Sequence, residues 1–294
     1  MVEHPGLALE IAEHNSDVIE GPWRDRILAV LTTIRRQLAA SVSHLPPVKV
    51  DLERTAPLHV GLGTGTQLAL SVAAGYAALL KHEISETLSA EDLARWTGRG
   101  QRSAIGLHGF LRGGLLMDGG KPSGDREGSV APLISRLPFP TEWAILLAIP
   151  ETEKGAYGDW ERQAFDKLLP VSEEFLNRQC RRLVFEILPA VAEQNYVAFA
   201  EALHAYNRDA GQPFRHVQSG LYNGAPVAER VHAFRSLGVE AVGQTSWGPT
   251  VFAIVPDAEH ACWLRNRLAD DSAFVHCRLI VTHARNQAAC LSRS

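Results

Sequence analysis

The residues best suited to chemistry in this 294-residue chain begin with glycines at alternate positions, Gly61-Leu62-Gly63-Thr64-Gly65-Thr66. The first N–H groups of a helix lack intrahelical partners, and the macrodipole makes that end positive. Glycines ahead of a helix let the backbone approach a phosphate with no Cβ in the way. Thr64 and Thr66 add hydroxyl donors, and the small residues Ala69, Ser71, Ala73, Ala74 and Gly75 suit a helix packed closely on a sheet. No Gly-Lys-Ser or Gly-Lys-Thr follows, so this is not a P-loop. The spacing is not G-x-G-x-x-G, and no acidic residue closes a βαβ unit, so it is not the dinucleotide fingerprint. On its own the loop allows two readings, a phosphate cradle or a glycine-rich turn before a core helix.

Other stretches are less specific. Asp118-Gly119-Gly120 offers a carboxylate at what is equally a plain turn. Gln244-Thr245-Ser246-Trp247-Gly248-Pro249 sets three polar side chains and a tryptophan before a strand, either as a pocket wall or as an ordinary connection. His82-Glu83-Ile84-Ser85-Glu86 begins like a zinc-protease helix but lacks its second histidine. The twelve histidines show no ligand spacing.

Several elements must position these groups. Leu7, Leu9 and Ile11 alternate as a half-buried strand. Gly21-Pro22 opens a helix that carries Trp23, Ile27, Val30, Leu31, Ile34 and Leu38 at helical spacing. Val48, Val50 and Leu52 form a second strand, followed by the glycine loop and a helix to about Leu80. Ser89 to Asp92 reads as a capping box before a short helix with Leu93 and Trp96. Gly98 to Gly114 reads as a loop, a helix and a glycine stop, then Leu115 to Met117 as a short strand and Lys121 to Glu127 as an exposed loop. The second half is expected to hold a strand over Trp143–Ile149, helices around Asp159–Leu169, Ser172–Leu188 and Tyr196–Asp209, a strand over Thr250–Val255, a helix over Asp257–Ala269 and a last strand over Ala273–Thr282. Strands and helices do not alternate strictly, which favours α+β layers. Pro138-Phe139-Pro140 is the expected boundary between units 1–140 and 141–294.

Composition narrows the function. Hydrophobic residues make up 46% and charged residues 21%, enough for a substantial core. A net charge of -4 without a basic block gives no electrostatic footprint for nucleic acid. No apolar run approaches the ~18–20 residues of a membrane helix, and the opening MVEHPGLALEIAEHN lacks a signal-peptide pattern. Cys180, Cys262, Cys277 and Cys290 are scattered, which points to reduced thiols and a cytoplasmic location.

Taken together, Pro57 to Gly75 (PLHVGLGTGTQLALSVAAG) resembles the P-x-x-x-G-L-G-S-S motif of the GHMP kinase superfamily, and Gly243 to Val255 (GQTSWGPTVFAIV) falls where its C-terminal glycine motif would lie. The resemblance spans nearly the whole chain. It implies a two-domain α+β fold, an N-terminal α/β sandwich (1–140) followed by a ferredoxin-like α+β domain (141–294). The kinases carry S-G-x-D several residues before a Gly-Gly pair, and that Asp is the proposed base. Here Ser103-Ala104-Ile105-Gly106 precedes Gly113-Gly114, so glycine replaces the acid. Loss of a general base typically costs ~10²–10⁴-fold, which weighs against an ATP-dependent small-molecule kinase.

Within the superfamily the chain is similar to the β-ribofuranosylaminobenzene 5′-phosphate synthases of methanopterin biosynthesis. The likeness lies in GLG-x-G-TQ (Gly61–Gln67), GRG-x-x-S-x-IG (Gly98–Gly106), GG-x-x-x-DGG (Gly113–Gly120) and GQ-x-SWGP (Gly243–Pro249). The resemblance implies decarboxylating transfer from 5-phosphoribosyl 1-pyrophosphate to 4-aminobenzoate or 4-hydroxybenzoate, with Mg²⁺ and no organic cofactor. By the same resemblance, Gly61, Leu62, Gly63, Thr64, Gly65, Thr66 and Gln67 would bind phosphate or pyrophosphate, with Arg99 and Arg102 as further anion contacts. Asp118 and Ser103 would be catalytic, Asp118 would also hold Mg²⁺, and Gln244, Ser246, Trp247 and Gly248 would frame the aromatic acid. Expected partners are these small molecules and a second copy in a homodimer, with no nucleic acid or membrane. The family's usual opening segment, R-x-H-F-G-L, has no counterpart in this sequence. One expectation is therefore a chain lacking an edge strand and part of its pocket, whose extreme form is an inactive ligand-binding remnant.

Overall fold

The computed structural model describes residues 1–80, 88–101, 103–120, 129–151, 153 and 171–292. The expected helix around Asp159–Leu169, the Lys121–Glu127 loop, the His82–Glu86 stretch and Arg102 lie outside these residues. The first half opens with β1 (Ala8–Glu13), β2 (Val18–Glu20), α1 (Arg24–Leu38) and β3 (Val48–Arg54). β3 is central, antiparallel to β1 and parallel to β2, and buries the alternating Val48, Val50 and Leu52. α1 buries Ile27, Leu31, Ile34 and Leu38, one face of a helix. α2 (Thr64–Leu79) is nearly all core, from Leu68 to Ala77. Its Gly75 lets β1 come close, since a Cβ there would stand 2.5 Å from Ile11 Cγ2. Arg35 ties three segments together. It donates to Asp17 at 2.6 and 2.8 Å, to Pro46 O at 2.9 Å and to the Tyr76 hydroxyl at 3.1 Å.

α3 (Ala90–Thr97) starts at the expected capping box, with Ser89 and Asp92 bonding reciprocally. α4 (Ile105–Arg112), β4 (Leu115–Asp118) and β5 (Leu133–Leu137) follow, the two strands pairing antiparallel.

In the second half β6 (Ala144–Pro150) sits inside a four-stranded antiparallel sheet of order β7 (Val242–Gln244), β8 (Val251–Val255), β6, β9 (Cys277–His283). Every residue of β6 is buried, because both faces of the sheet are covered. Ala144, Leu146 and Ala148 face α8 (Ala225–Ser236) and α9 (Ala258–Leu268), through Val231, Phe234 and Leu264. Ile145, Leu147 and Ile149 face α6 (Leu188–Ala192) and α7 (Tyr196–Ala210), through Val191, Phe199 and Ala202. The helix expected over Ser172–Leu188 is α5 (Glu173–Arg182) followed by a π-helical turn, Leu183–Ile187, that leads into α6.

Two links join the halves near the motifs. Val60 and Leu62 of the glycine loop belong to the apolar cluster on the α6–α7 face of the second sheet. The chain's end returns to the first half, where Arg285 O accepts from Gly114 N–H at 2.8 Å and Ala289 N–H donates to Phe110 O at 2.7 Å.

Candidate active site

The glycine loop and the Gln244–Pro249 loop meet backbone to backbone. A Cβ on Gly61, whose φ is +86°, would fall 2.4 Å from Thr245 Oγ1 and 2.6 Å from Gly248 Cα. A Cβ on Gly248 would fall 2.3 Å from Gly61 Cα and from Val60 O. Both glycines are therefore required by close approach. Gly63, at φ +68°, caps α2, and its carbonyl accepts from Thr66 N–H at 2.9 Å and Gln67 N–H at 3.1 Å. Thr64 and Gly65 keep N–H groups with no hydrogen-bond partner among the described residues, the free donors a phosphate would use. The Thr64 hydroxyl is not one of them, because it is buried and donates to Pro57 O at 2.9 Å.

The side chains of Thr66 and Gln67 turn toward α4. Gln67 Nε2 donates to Gly106 O at 3.1 Å, and a Cβ on Gly106 would stand 3.0 Å from Thr66 Cγ2. Gly106, which stands where the resemblance puts the kinases' acid, therefore directly adjoins the glycine loop.

Asp118 ends β4 and holds the start of α4. Its Oδ2 accepts from Ser103 Oγ and from Ala104 N–H, both at 2.9 Å, and its Oδ1 accepts from Gly120 N–H at 3.2 Å. Ser103 is exposed, and its Oγ accepts in turn from Ile105 N–H at 3.2 Å. Tyr206 lies on α7. Burial pushes its hydroxyl pKa up, with smaller contributions from Cys180 and Asp118.

The second loop is largely self-held. Gln244 Oε1 accepts from Asn223 N–H at 2.8 Å, and Nε2 donates to Ser246 O at 2.9 Å. Asn207 bridges the Gln244 backbone, accepting from its N–H and donating to its carbonyl, each at 3.0 Å. Trp247 is buried edge-on against Phe214, with ring centroids 4.7 Å apart, and its carbonyl accepts from Asn223 Nδ2 at 3.1 Å. Gln244, expected to frame the aromatic acid, holds the loop through both ends of its amide. Ser246 is the exposed member, at φ +44°.

Arg99, at the end of the α3 turn, is half-buried. Burial first, and the charge of Arg26 second, hold its pKa below the usual arginine value. Arg26 is the residue that sequence reasoning missed. Its guanidinium lies beside Gly65, 2.5 Å from where a Cβ would be.

Mg²⁺ is usually held by one or two carboxylates together with substrate phosphates, and Asp118 is the carboxylate expected to hold it here. Among the described residues no three His, Cys, Asp or Glu side chains group to hold a metal, and the Asp118 oxygens already accept three hydrogen bonds. No helix among the described residues is long and apolar enough to cross a membrane.

Comparison with known proteins shows the family and the fold. The model of the GHMP kinases N-terminal domain matches residues 25–114. The β-ribofuranosylphenol 5′-phosphate synthase of Archaeoglobus fulgidus is 35% identical over 78% of this chain and 71% of its own length. That of Methanocaldococcus jannaschii is 32% identical over 86% of this chain and 80% of its own. A homoserine kinase from Cytophaga hutchinsonii (TM-score 0.67, 15% identity, 98% of this chain and 89% of that one) has the same fold. So does a mevalonate pyrophosphate decarboxylase from Streptococcus pyogenes (TM-score 0.68, 13% identity, 97% and 86%).

Proposed function

The chain belongs to the β-ribofuranosylphenol 5′-phosphate synthase family, and from that premise we propose that it transfers phosphoribose from 5-phosphoribosyl 1-pyrophosphate to a para-substituted benzoate with loss of CO₂. The relatives' name specifies a phenol product, so 4-hydroxybenzoate is the acceptor favoured here over 4-aminobenzoate. The ring carbon bearing the carboxylate attacks the anomeric carbon. The bond to pyrophosphate breaks, and its electron pair leaves with that group. The carboxylate then departs as CO₂, and the electrons of its C–C bond restore the aromatic ring. In this reading the product enters tetrahydromethanopterin biosynthesis, in the cytoplasm.

One observation carries the proposal: the position beside the phosphate loop where a hydroxyl-activating acid would be attached is Gly106, in contact with Thr66 and Gln67. A carbon nucleophile has no hydroxyl proton to give up, so this chemistry needs no base there. It does need the charge that develops on departing pyrophosphate to be stabilised. In this reading the free Thr64 and Gly65 N–H groups and Arg99 take that role. The test is to supply the protein with phosphoribosyl pyrophosphate and carboxyl-labelled 4-hydroxybenzoate, with 4-aminobenzoate in parallel. Labelled CO₂ and pyrophosphate should appear in equal amounts, and release from neither acid would sink the reading.

A further inference from the structure

Arg26 lies in the first turn of α1, where the positive end of a helix disfavours a cation. Its guanidinium nevertheless reaches over the first turn of α2. A Cβ on Gly65 would stand 2.5 Å from Nη2, 3.2 Å from Cζ and 3.7 Å from Nε, and those are its nearest neighbours. A side chain at position 65 would therefore occupy the space that the guanidinium fills. Arg99 approaches the same corner closely enough for the two like charges to oppose each other. Both arginines are half-buried, and neither has a carboxylate partner among the described residues. Arg26 thus reaches the start of a second helix, within the electrostatic influence of Arg99, with no acidic partner among the described residues.

We infer that Arg26 is a direct pyrophosphate ligand, holding diphosphate oxygens beside Arg99, and that Gly65 is glycine so that the guanidinium can reach them. The inference rests on the reading of Gly61–Gln67 as a pyrophosphate cradle. A planar guanidinium can meet two phosphate oxygens at once, and a diphosphate carries enough charge to engage two such groups.

The test is titration calorimetry of the full chain with inorganic pyrophosphate, together with unliganded melting temperatures. Arg26→Gln should weaken pyrophosphate binding by roughly ten- to a hundredfold, as expected for a lost charge-assisted hydrogen bond. Its unliganded melting temperature should hold or rise, because a like-charge contact is relieved. Arg26→Lys should recover part of the affinity. Gly65→Ala, whose methyl displaces the guanidinium, should lose affinity as well. Wild-type affinity in Arg26→Gln or in Gly65→Ala, with binding lost in Arg99→Gln, would overturn the inference. So would a melting temperature lowered in Arg26→Gln and not restored by lysine, which marks a structural role. If the unaltered protein binds no pyrophosphate, the cradle reading fails first and this inference falls with it.

Discussion

Two charges in this molecule stand at helix ends that oppose them, and they are handled in contrasting ways. Asp209 lies in the last turn of α7, where an anion meets the negative end of the dipole. It is only 4% exposed, yet Arg182 at 2.9 Å, Arg208 at 3.1 Å, Arg178 at 3.8 Å and Gln212 at 3.2 Å surround it. Burial pushes its carboxyl pKa up, but the hydrogen bonds from Arg182 and Arg208 outweigh this and leave it below the usual carboxylate value. Arg26, in the first turn of α1, is opposed in the same way, and among the described residues it meets another cation and no acid. A misplaced charge compensated from within holds the fold together. A misplaced charge left uncompensated suits a ligand that supplies the counter-charge.

The largest expected effect breaks the compensated cluster. Asp209→Ala leaves three arginines facing an uncharged methyl, and removing one partner of a buried ionic network costs about 3–5 kcal/mol. Urea unfolding should register that loss, and a change below about 1 kcal/mol would mean that the cluster is solvated and idle. The pH dependence has a definite sign. With a depressed folded pKa, the contribution of Asp209 is complete above its unfolded value, about 3.9, and is lost as pH falls through the folded value. The melting temperature should therefore drop in acid for the native protein and drop less for Asp209→Asn.

A smaller effect should follow from separating the two motif loops. In Gly248→Ala the new methyl would fall 2.3 Å from Gly61 Cα and Val60 O, so backbone must move. Overpacking of this kind costs about 1–3 kcal/mol. Because the displaced backbone is the proposed phosphate loop, pyrophosphate affinity should fall together with stability in calorimetry. Full affinity in a destabilised variant would show that the two loops need not touch for the cradle to work.

The sequence reveals those loops singly and not their meeting. The glycine spacing, the capping box at Ser89 and the alternation in β3 are local patterns, and the structure has the expected elements at each. α8 (Ala225–Ser236) has no counterpart among the expected elements, although Val227, Arg230, Val231 and Phe234 lie on one face and Pro226 stands in its first turn, where proline suits a helix start. β2 and β7 have three residues each, too short for alternation to register. Gly61 against Gly248, and Arg26 over Gly65, arise from tertiary packing, and no spacing rule encodes them. Gln244 shows the same limit from another side, since its type and motif suggest a ligand contact and only the packing shows that its amide also holds the loop.

Asp118 offers the smallest and most discriminating perturbation, because it is a charge at the end a dipole favours. Its carboxylate receives the Ala104 N–H and the Ser103 hydroxyl at the start of α4, as a capping residue's side chain would. Truncation to alanine should cost about 1 kcal/mol, the usual worth of such a cap, and Asp118→Asn should cost less because an amide oxygen can still accept. Turnover separates that anchoring role from a chemical one. The anomeric carbon gains positive charge as pyrophosphate leaves, so a group that steadies it needs negative charge, which asparagine lacks and a cap does not require. If Asp118 faces that centre, Asp118→Asn should lower kcat while pyrophosphate affinity and melting temperature stay near native values. Unchanged kcat in Asp118→Asn, with stability lost only in Asp118→Ala, would leave Asp118 as the anchor of α4 and take it out of the chemistry.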